Sequence, residues 1–371
     1  MLEVLMTSTS YPTDNSDWRG RFIADLVKSL CKDERVRIRL WAPPGLVPPL
    51  VLDAKTSTET FLLNRLAADG GIAAILRKKN LSSLKTVLLL LLFLARVYHR
   101  NRSAHMVHAF WLQNAIPLLG SRQPAVISVL GSDFGLLDFP GMKLLLRAML
   151  KVRPCLIAPN AAWMVPRLHE AFGDLAEIRP IPFGVDDKWF TVQNKFSKDN
   201  KFHWISVTRI TSNKIGNLFK WGKGLFDEDH ILHLFGPMQE TLSIPTWVDH
   251  HGPVSPNELM NKWFPLCSGL ITLSQHNEGR PQVMLEAMAA GLPIIASDIP
   301  AHMDIIEHKV NGWIVSTSRD LKEAISFFNT REAVIQAGES ARSWVLENIG
   351  TWDDCARRYI TAYQDLLGRD R

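Results

Sequence analysis

Cysteine is scarce in this chain. Cys31, Cys155, Cys267 and Cys355 are the four in 371 residues, widely scattered and without paired spacing. That excludes a disulfide framework and shows no zinc site; the thiols read as buried groups of a reducing compartment. A basic start with a long apolar stretch is also missing. Residues 1–6 read as a short strand, so no secretion signal is expected and the location expected is cytoplasmic. The apolar run at 87–95 has nine residues, far short of the roughly 20 that span a bilayer. After Met6 the chain reads Thr7-Ser8-Thr9-Ser10-Tyr11-Pro12 where a dinucleotide-binding oxidoreductase should show Gly-x-Gly-x-x-Gly. No Ser-His-Asp order or nucleophile elbow is visible. His105 and His108 flank a buried strand end without metal-ligand spacing, and read as core or rim histidines.

Acidic residues are absent from one long window. Between 70 and 132 there is no Asp or Glu, while Arg77, Lys78, Lys79, Lys85, Arg96, Arg100, Arg102 and Arg122 are all present. The apolar run 87–95 sits inside it. One reading is a buried helix with basic ends. The other is a surface that meets anionic lipid headgroups, each basic residue contributing about 1 kcal/mol. The net charge of +5 leans the same way. No recognition motif for nucleic acid accompanies the charge, so a nucleic-acid partner is not expected.

What is present is a globular composition, 46% hydrophobic and 21% charged, in a chain long enough for two cores. Strand candidates at 4–6, 37–40, 106–109, 125–130 and 156–158 alternate with helical stretches. A second series follows at 204–207, 231–235, 270–273, 294–296 and 313–315. Two such series predict an α/β protein of two doubly wound, Rossmann-like domains. The division is expected near 187, with 193–201 as a polar linker. The expected domains are 1–187, 188–351, and a terminal helix from 352 to 371.

The richest stretch is 269–297. An apolar strand leads to a polar loop, Pro281 suits a first helical turn, Gly291 suits the cap after the helix, and a second strand follows. This strand–helix–strand unit implies parallel strands with a right-handed crossover. Free N–H groups of Gly279, Arg280, Gln282 and Val283 at the positive helix end would welcome a phosphate. Glu278 and Glu286 stand on either side. That arrangement suits a ligand with hydroxyls flanking a diphosphate: Glu286 on ribose, Glu278 on a sugar. The bland alternative is a helix carboxylate and a dipole-favouring one.

Glu278-Gly279, Leu285-Glu286-Ala287-Met288-Ala289-Ala290-Gly291-Leu292-Pro293 closely resembles the signature of retaining glycosyltransferases, in particular family 4, with Glu278 and Glu286 matching its Glu-x7-Glu pair. Val207-Thr208-Arg209-Ile210 with Lys214 resembles its Gly-Arg-Leu-x3-Lys segment. Ile181-Pro182-Phe183-Gly184-Val185-Asp186, Ser128-Val129-Leu130-Gly131-Ser132-Asp133, Tyr11-Pro12 with Gly20-Arg21-Phe22-Ile23, Asn311-Gly312-Trp313 and Trp352, Tyr359, Tyr363 resemble further segments in the same order.

The resemblance implies the GT-B fold, two domains with a cleft between them and a terminal helix crossing back to the first. The first domain would bind the acceptor and the second the nucleotide-sugar donor. It implies Arg209 and Lys214 as a clamp on the departing diphosphate, with no cofactor and no metal; the pairs Asp186-Asp187 and Asp353-Asp354 alternate poorly around an ion. Gly20 would approach the phosphates or begin the first helix. Val254, in Gly252-Pro253-Val254, would lie beside the base through backbone contacts. Asp133 would bind sugar hydroxyls or cap the next segment. The sequence departs from the family at Leu130, where histidine is common, at Ile215-Gly216 after Lys214, and at Pro300-Ala301 in place of a glycine pair. The expected reaction is sugar transfer to an acceptor hydroxyl, in lipid-linked or cell-surface polysaccharide synthesis. The nearer rivals are a nucleotide-sugar epimerase or a sugar-phosphate synthase, and after them a non-catalytic carbohydrate-binding protein.

Overall fold

A computed structural model of the protein describes residues 1–14, 17–68, 81–131, 133–276 and 278–368. The chain forms two compact units, residues 1–183 with 352–371, and residues 184–351. The first is a seven-stranded sheet in the order β3-β2-β1-β4-β5-β6-β7. Its strands are β1 (Leu2–Thr7), β2 (Val36–Trp41), β3 (Leu52–Asp53), β4 (Met106–Phe110), β5 (Ala125–Val129), β6 (Cys155–Pro159) and β7 (Glu177–Ile178). All neighbouring pairs run parallel. Successive residues of a strand point to opposite faces, and here both faces are covered. Val4, Met6, Ile38, Met106, Val126 and Leu156 pack under the helix Arg21–Leu30 and the terminal helix Trp352–Gly368. Leu5, Val107, Ala109, Ile127 and Ile157 pack on the other face, with Leu63, Leu94, Met149 and Leu168 from the remaining helices.

The second unit is a six-stranded parallel sheet ordered β10-β9-β8-β11-β12-β13. These strands are β8 (Phe202–Val207), β9 (His230–Phe235), β10 (Val248–Gly252), β11 (Gly269–Thr272), β12 (Ile294–Ser297) and β13 (Gly312–Val315). Ile205, Phe235, Leu270 and Ile294 face the helices Gln282–Ala289 and Arg331–Asn348; Trp204, Leu232, Leu234, Ile271 and Ile295 face Ser318–Phe327.

The terminal helix belongs to the first unit through a buried polar chain. His108 Nδ1 lies 2.7 Å from the Tyr363 hydroxyl, its Nε2 lies 2.7 Å from Ser128 Oγ, and Ser128 Oγ lies 2.7 Å from the Tyr359 hydroxyl. The division falls after Phe183, four residues before the expected 187. Residues 193–201 lie inside the second unit and are no linker between the two: Lys195 N–H donates to the Pro265 carbonyl, and the Phe196 ring carries Arg331 5.3 Å from its centroid. Cys155, Cys267 and Cys355 are buried, but Cys31 is only partly so. Among the described residues no helix is long and apolar enough to cross a membrane.

The helix Leu81–Arg100 corrects the fully buried reading of the apolar run. Leu90, Phe93, Leu94, Val97 and Tyr98 are buried, while Leu84, Leu88, Leu89 and Leu92 are exposed, Leu84 by 66% and Leu88 by 59%. Arg77, Lys78 and Lys79 lie outside the described residues. Arg100 is not a free surface charge, since its guanidinium pairs with the buried Glu59 carboxylate at 2.9 Å.

Candidate functional site

Strand order reverses in the second unit between β8 and β11: β9 and β10 lie to one side, β12 and β13 to the other. Loops leaving the carboxyl ends of two such strands diverge, and the opening between them is where open parallel sheets bind ligands. Lys214 follows β8 and Glu278 follows β11. The structure brings them together: Lys214 Nζ lies 2.6 Å from Glu278 Oε1, and both side chains are largely buried.

Local geometry explains the approach. Thr211 caps the turn Ser212–Ile215, its hydroxyl accepting from the Lys214 N–H at 3.3 Å. Gly216 follows with φ +52°, and a Cβ there would lie 1.9 Å from the Leu273 carbonyl oxygen. Only glycine lets this turn lie against the end of β11. Gln275 N–H then donates to the Asn213 carbonyl at 2.8 Å, and Ser274 Oγ donates to Glu278 Oε1 at 3.1 Å.

Burial alone would push the Glu278 carboxyl up. Lys214, with His302 and His276, outweighs it and holds the group below its ordinary range. Burial pulls the Lys214 ammonium below its usual value, against the Glu278 charge, and the Arg209 charge adds to the lowering. Arg209 therefore belongs to the same electrostatic cluster. Its loop is held where Gly236, at φ +139°, brings its backbone so close to Thr208 that a Cβ would sit 1.6 Å from the Thr208 oxygen.

Beside this cluster stands the helix Gln282–Ala289, with Pro281 at its N-cap rather than inside the first turn. Met284, Leu285 and Ala287 are buried, and Glu286 is half-exposed. Gly291 has φ +81°, as a left-handed residue after a helix should. Arg342 completes the end: its guanidinium donates to the carbonyls of Ala289 (3.0 Å) and Ala290 (2.9 Å). Gln282 Nε2 donates to the Gly184 carbonyl at 2.8 Å, and Val283 and Val254 pack against the core. Gly279 is buried. The Arg280 guanidinium pairs with Asp304, each 8% exposed, so its side chain braces the loop rather than reaching for a ligand.

Two expected residues lie in the first unit. Gly20 has φ +66° at the N-cap of Arg21–Leu30, and a Cβ would sit 2.7 Å from the Ser10 carbonyl carbon. The chain's own backbone thus accounts for that glycine. Asp133 is buried; its Oδ2 accepts from Leu112 N–H (2.9 Å) and its Oδ1 from Leu130 N–H (3.0 Å). Burial raises its carboxyl to about 6 against these bonds. Both oxygens stitch the ends of β4 and β5, which favours the structural reading over sugar binding.

Three site features went unread in the sequence. Ser274 carries no motif, and the contact role of Gly216 is not visible from its place after Ile215. His302 is fully buried beside Ser297, its Nδ1 3.0 Å from the Ser297 carbonyl, so that nitrogen bears the proton and Nε2 is left as an acceptor with no partner among the described residues. An Asp-x-Asp spacing occurs at Asp227-Glu228-Asp229. Asp227 Oδ1 accepts from the N–H groups of Asp229 (2.9 Å) and His230 (3.1 Å), shaping the turn into β9. That turn lies at the amino ends of these parallel strands, opposite the edge where Lys214 and Glu278 meet.

Residues 238–344 match the family model described as glycosyl transferases group 1. An uncharacterized glycosyltransferase of Methanocaldococcus jannaschii is 32% identical over 96 residues, 24% of either chain. N-acetyl-alpha-D-glucosaminyl L-malate synthase of Bacillus anthracis is 30% identical over 107 residues, 28% of either chain. The matched stretches thus span only about a quarter to a third of the length of the curated relatives. Among solved structures, sucrose-phosphate synthase of Thermosynechococcus elongatus superposes with a TM-score of 0.74 at 14% identity, covering 100% of both chains. Anabaena HepE in complex with UDP and glucose superposes with a TM-score of 0.67 at 14% identity, covering 98% of this chain and 100% of its own. The chain has the α/β fold of these GT-B glycosyltransferase structures along its whole length.

Proposed function

We propose that the protein is a retaining glycosyltransferase that moves a sugar from a nucleotide-diphosphate sugar to an acceptor hydroxyl, without a divalent metal on the diphosphate. The observation that carries this reading is the Lys214–Glu278 pair at the strand-order reversal of the second unit. The family match over 238–344 covers Glu278 and Glu286 and supports it, as do the UDP and UDP-glucose complexes of HepE, a protein of the same fold.

In this reading the acceptor oxygen attacks the anomeric carbon from the face that the diphosphate leaves. The bond from that carbon to the phosphate oxygen breaks, and the departing oxygen takes the acceptor proton. Arg209, Lys214 and the N–H groups at the start of Gln282–Ala289 stabilise the phosphate charge. Glu278 holds sugar hydroxyls and faces positive charge on the ring, and Glu286 holds the ribose. The first unit takes the acceptor. The test is release of nucleoside diphosphate from a panel of nucleotide sugars, with and without EDTA. Metal-independent turnover by the wild type and its loss in Glu278→Gln support the reading; turnover that depends on magnesium overturns its metal-free part.

We infer also that the acceptor is presented at a membrane, as a lipid-linked or cell-surface glycan would be. The support is the exposed stripe Leu84, Leu88 and Leu92, spaced four residues apart on Leu81–Arg100, with exposed Lys85 and Arg96 along the same helix. An apolar stripe edged with basic groups fits the boundary of anionic headgroups and acyl chains.

A further inference from the structure

The edge of the six-stranded sheet carries a histidine cluster that glycosyl transfer does not use. β9 and β10 place Asp249 opposite His233. His233 is 6% exposed, whereas Asp249 and His251 are open to solvent. His233 Nδ1 lies 3.0 Å from His251 Nε2 and 3.8 Å from Asp249 Oδ2. One ligand atom from each residue lies within 4.8 Å of the other two, which among the described residues is the single grouping of this kind.

The polar chain behind His233 orients it. Asp199 Oδ2 lies 3.0 Å from His203 Nε2, and His203 Nδ1 lies 2.8 Å from His233 Nε2. A carboxylate can only accept, so His203 Nε2 carries a proton; in neutral His203, Nδ1 then accepts the N–H of His233 Nε2. His233 Nδ1 is thereby left as a lone pair facing His251 and Asp249. The His203 and His233 rings stack at 5.2 Å with 1° between planes, and Trp263 packs 5.0 Å from His233 and 4.7 Å from His251.

We propose that His233, Asp249 and His251 bind a divalent transition-metal ion of the zinc class, with His203 and Asp199 as the supporting chain. Two imidazole nitrogens and a carboxylate suit that ion, and bonds of about 2.0–2.1 Å set tetrahedral ligand atoms about 3.3 Å apart. The observed 3.0 and 3.8 Å bracket that spacing. The exposed pair leaves an entry path and a coordination position for water. His251 leads directly into Gly252-Pro253-Val254, so the ion ties that turn to β9 and serves structure or regulation rather than the diphosphate.

The test uses the untagged full chain, stripped with chelator and titrated with Zn2+ by calorimetry, with metal content measured after dialysis. One ion per chain is expected. His251→Ala and Asp249→Asn alter exposed residues, so the fold should stand, and each should weaken binding at least tenfold. Asp199→Asn keeps all three ligands and should weaken it roughly 10–100-fold through the His203 link. Absence of saturable binding, or unchanged affinity in His251→Ala, overturns the proposal. Sugar transfer plays no part in this readout, so either reading can fail without the other.

Discussion

Lys214 and Glu278, 64 residues apart in the chain, meet at 2.6 Å where strand order reverses in the second unit. Each is the other's counter-ion inside a largely buried site. In the proposed reading, a diphosphate that draws Lys214 to itself leaves the Glu278 carboxylate for sugar hydroxyls. Glu278→Gln should therefore keep the fold, checked by circular dichroism, and lose turnover by about 10²–10³. Near-normal donor turnover by this variant rejects the assignment.

Gly216 holds the geometry that delivers Lys214. Gly216→Ala places a methyl 1.9 Å from the Leu273 oxygen at positive φ, which must shift the turn. A destabilisation of about 1–3 kcal/mol is expected in denaturant unfolding, with a loss of turnover larger than that from Gly224→Ala, whose Cβ would meet nothing.

His302 should matter through its acceptor nitrogen. His302→Phe removes Nε2 and also the Nδ1 bond to the buried Ser297 carbonyl, so it is expected to weaken donor turnover at least tenfold and to lower Tm as well. Unchanged kinetics would make His302 a packing residue.

His108 predicts the acid limb of stability. Burial depresses its imidazole from about 6.5 to about 3, so the folded protein keeps it neutral while the unfolded chain protonates. Between these values the unfolded state binds more protons. Its contribution is complete above about pH 6.5 and is lost as pH falls toward 3, at up to about 1.4 kcal/mol per pH unit. His108→Gln should flatten that slope relative to wild type in urea unfolding at pH 4.5 to 7. An identical slope in both proteins contradicts it.

The exposed stripe predicts salt-sensitive sedimentation with vesicles of anionic lipid, since screening cuts the reach of charge to about 8 Å at physiological ionic strength. Leu88→Ser with Leu92→Ser should reduce it. Equal partition onto neutral vesicles would remove the electrostatic part of the account.

Much of the fold was legible because a parallel sheet covered on both faces writes each strand as an apolar run, as at 270–273 and 294–296. β10 was not, because Val248-Asp249-His250-His251-Gly252 is a polar edge strand with one buried side chain. β3 and β7 have two residues each, too short to show a period. In the candidate site, motif spacing singles out Glu278, Glu286, Arg209 and Lys214, and the structure brings Lys214 to Glu278. Ser274, four residues before Glu278, belongs to no motif, and His302 and the role of Gly216 depend on strands distant in sequence becoming neighbours. Asp133 shows the reverse: its carboxylate, a candidate for sugar hydroxyls or for a cap, is occupied by two backbone N–H groups.

In the proposed reading Arg209 and Lys214 hold the diphosphate of a nucleotide sugar. Its most direct test is thermal unfolding of the full chain against UDP, GDP, ADP and their sugars, in EDTA. One base should stabilise the protein by about 2.7 kcal/mol at a hundredfold excess over Kd. The shift should shrink sharply in Arg209→Ala and in Lys214→Ala. No shift with any nucleotide, or an equal shift in wild type and both variants, would contradict the account.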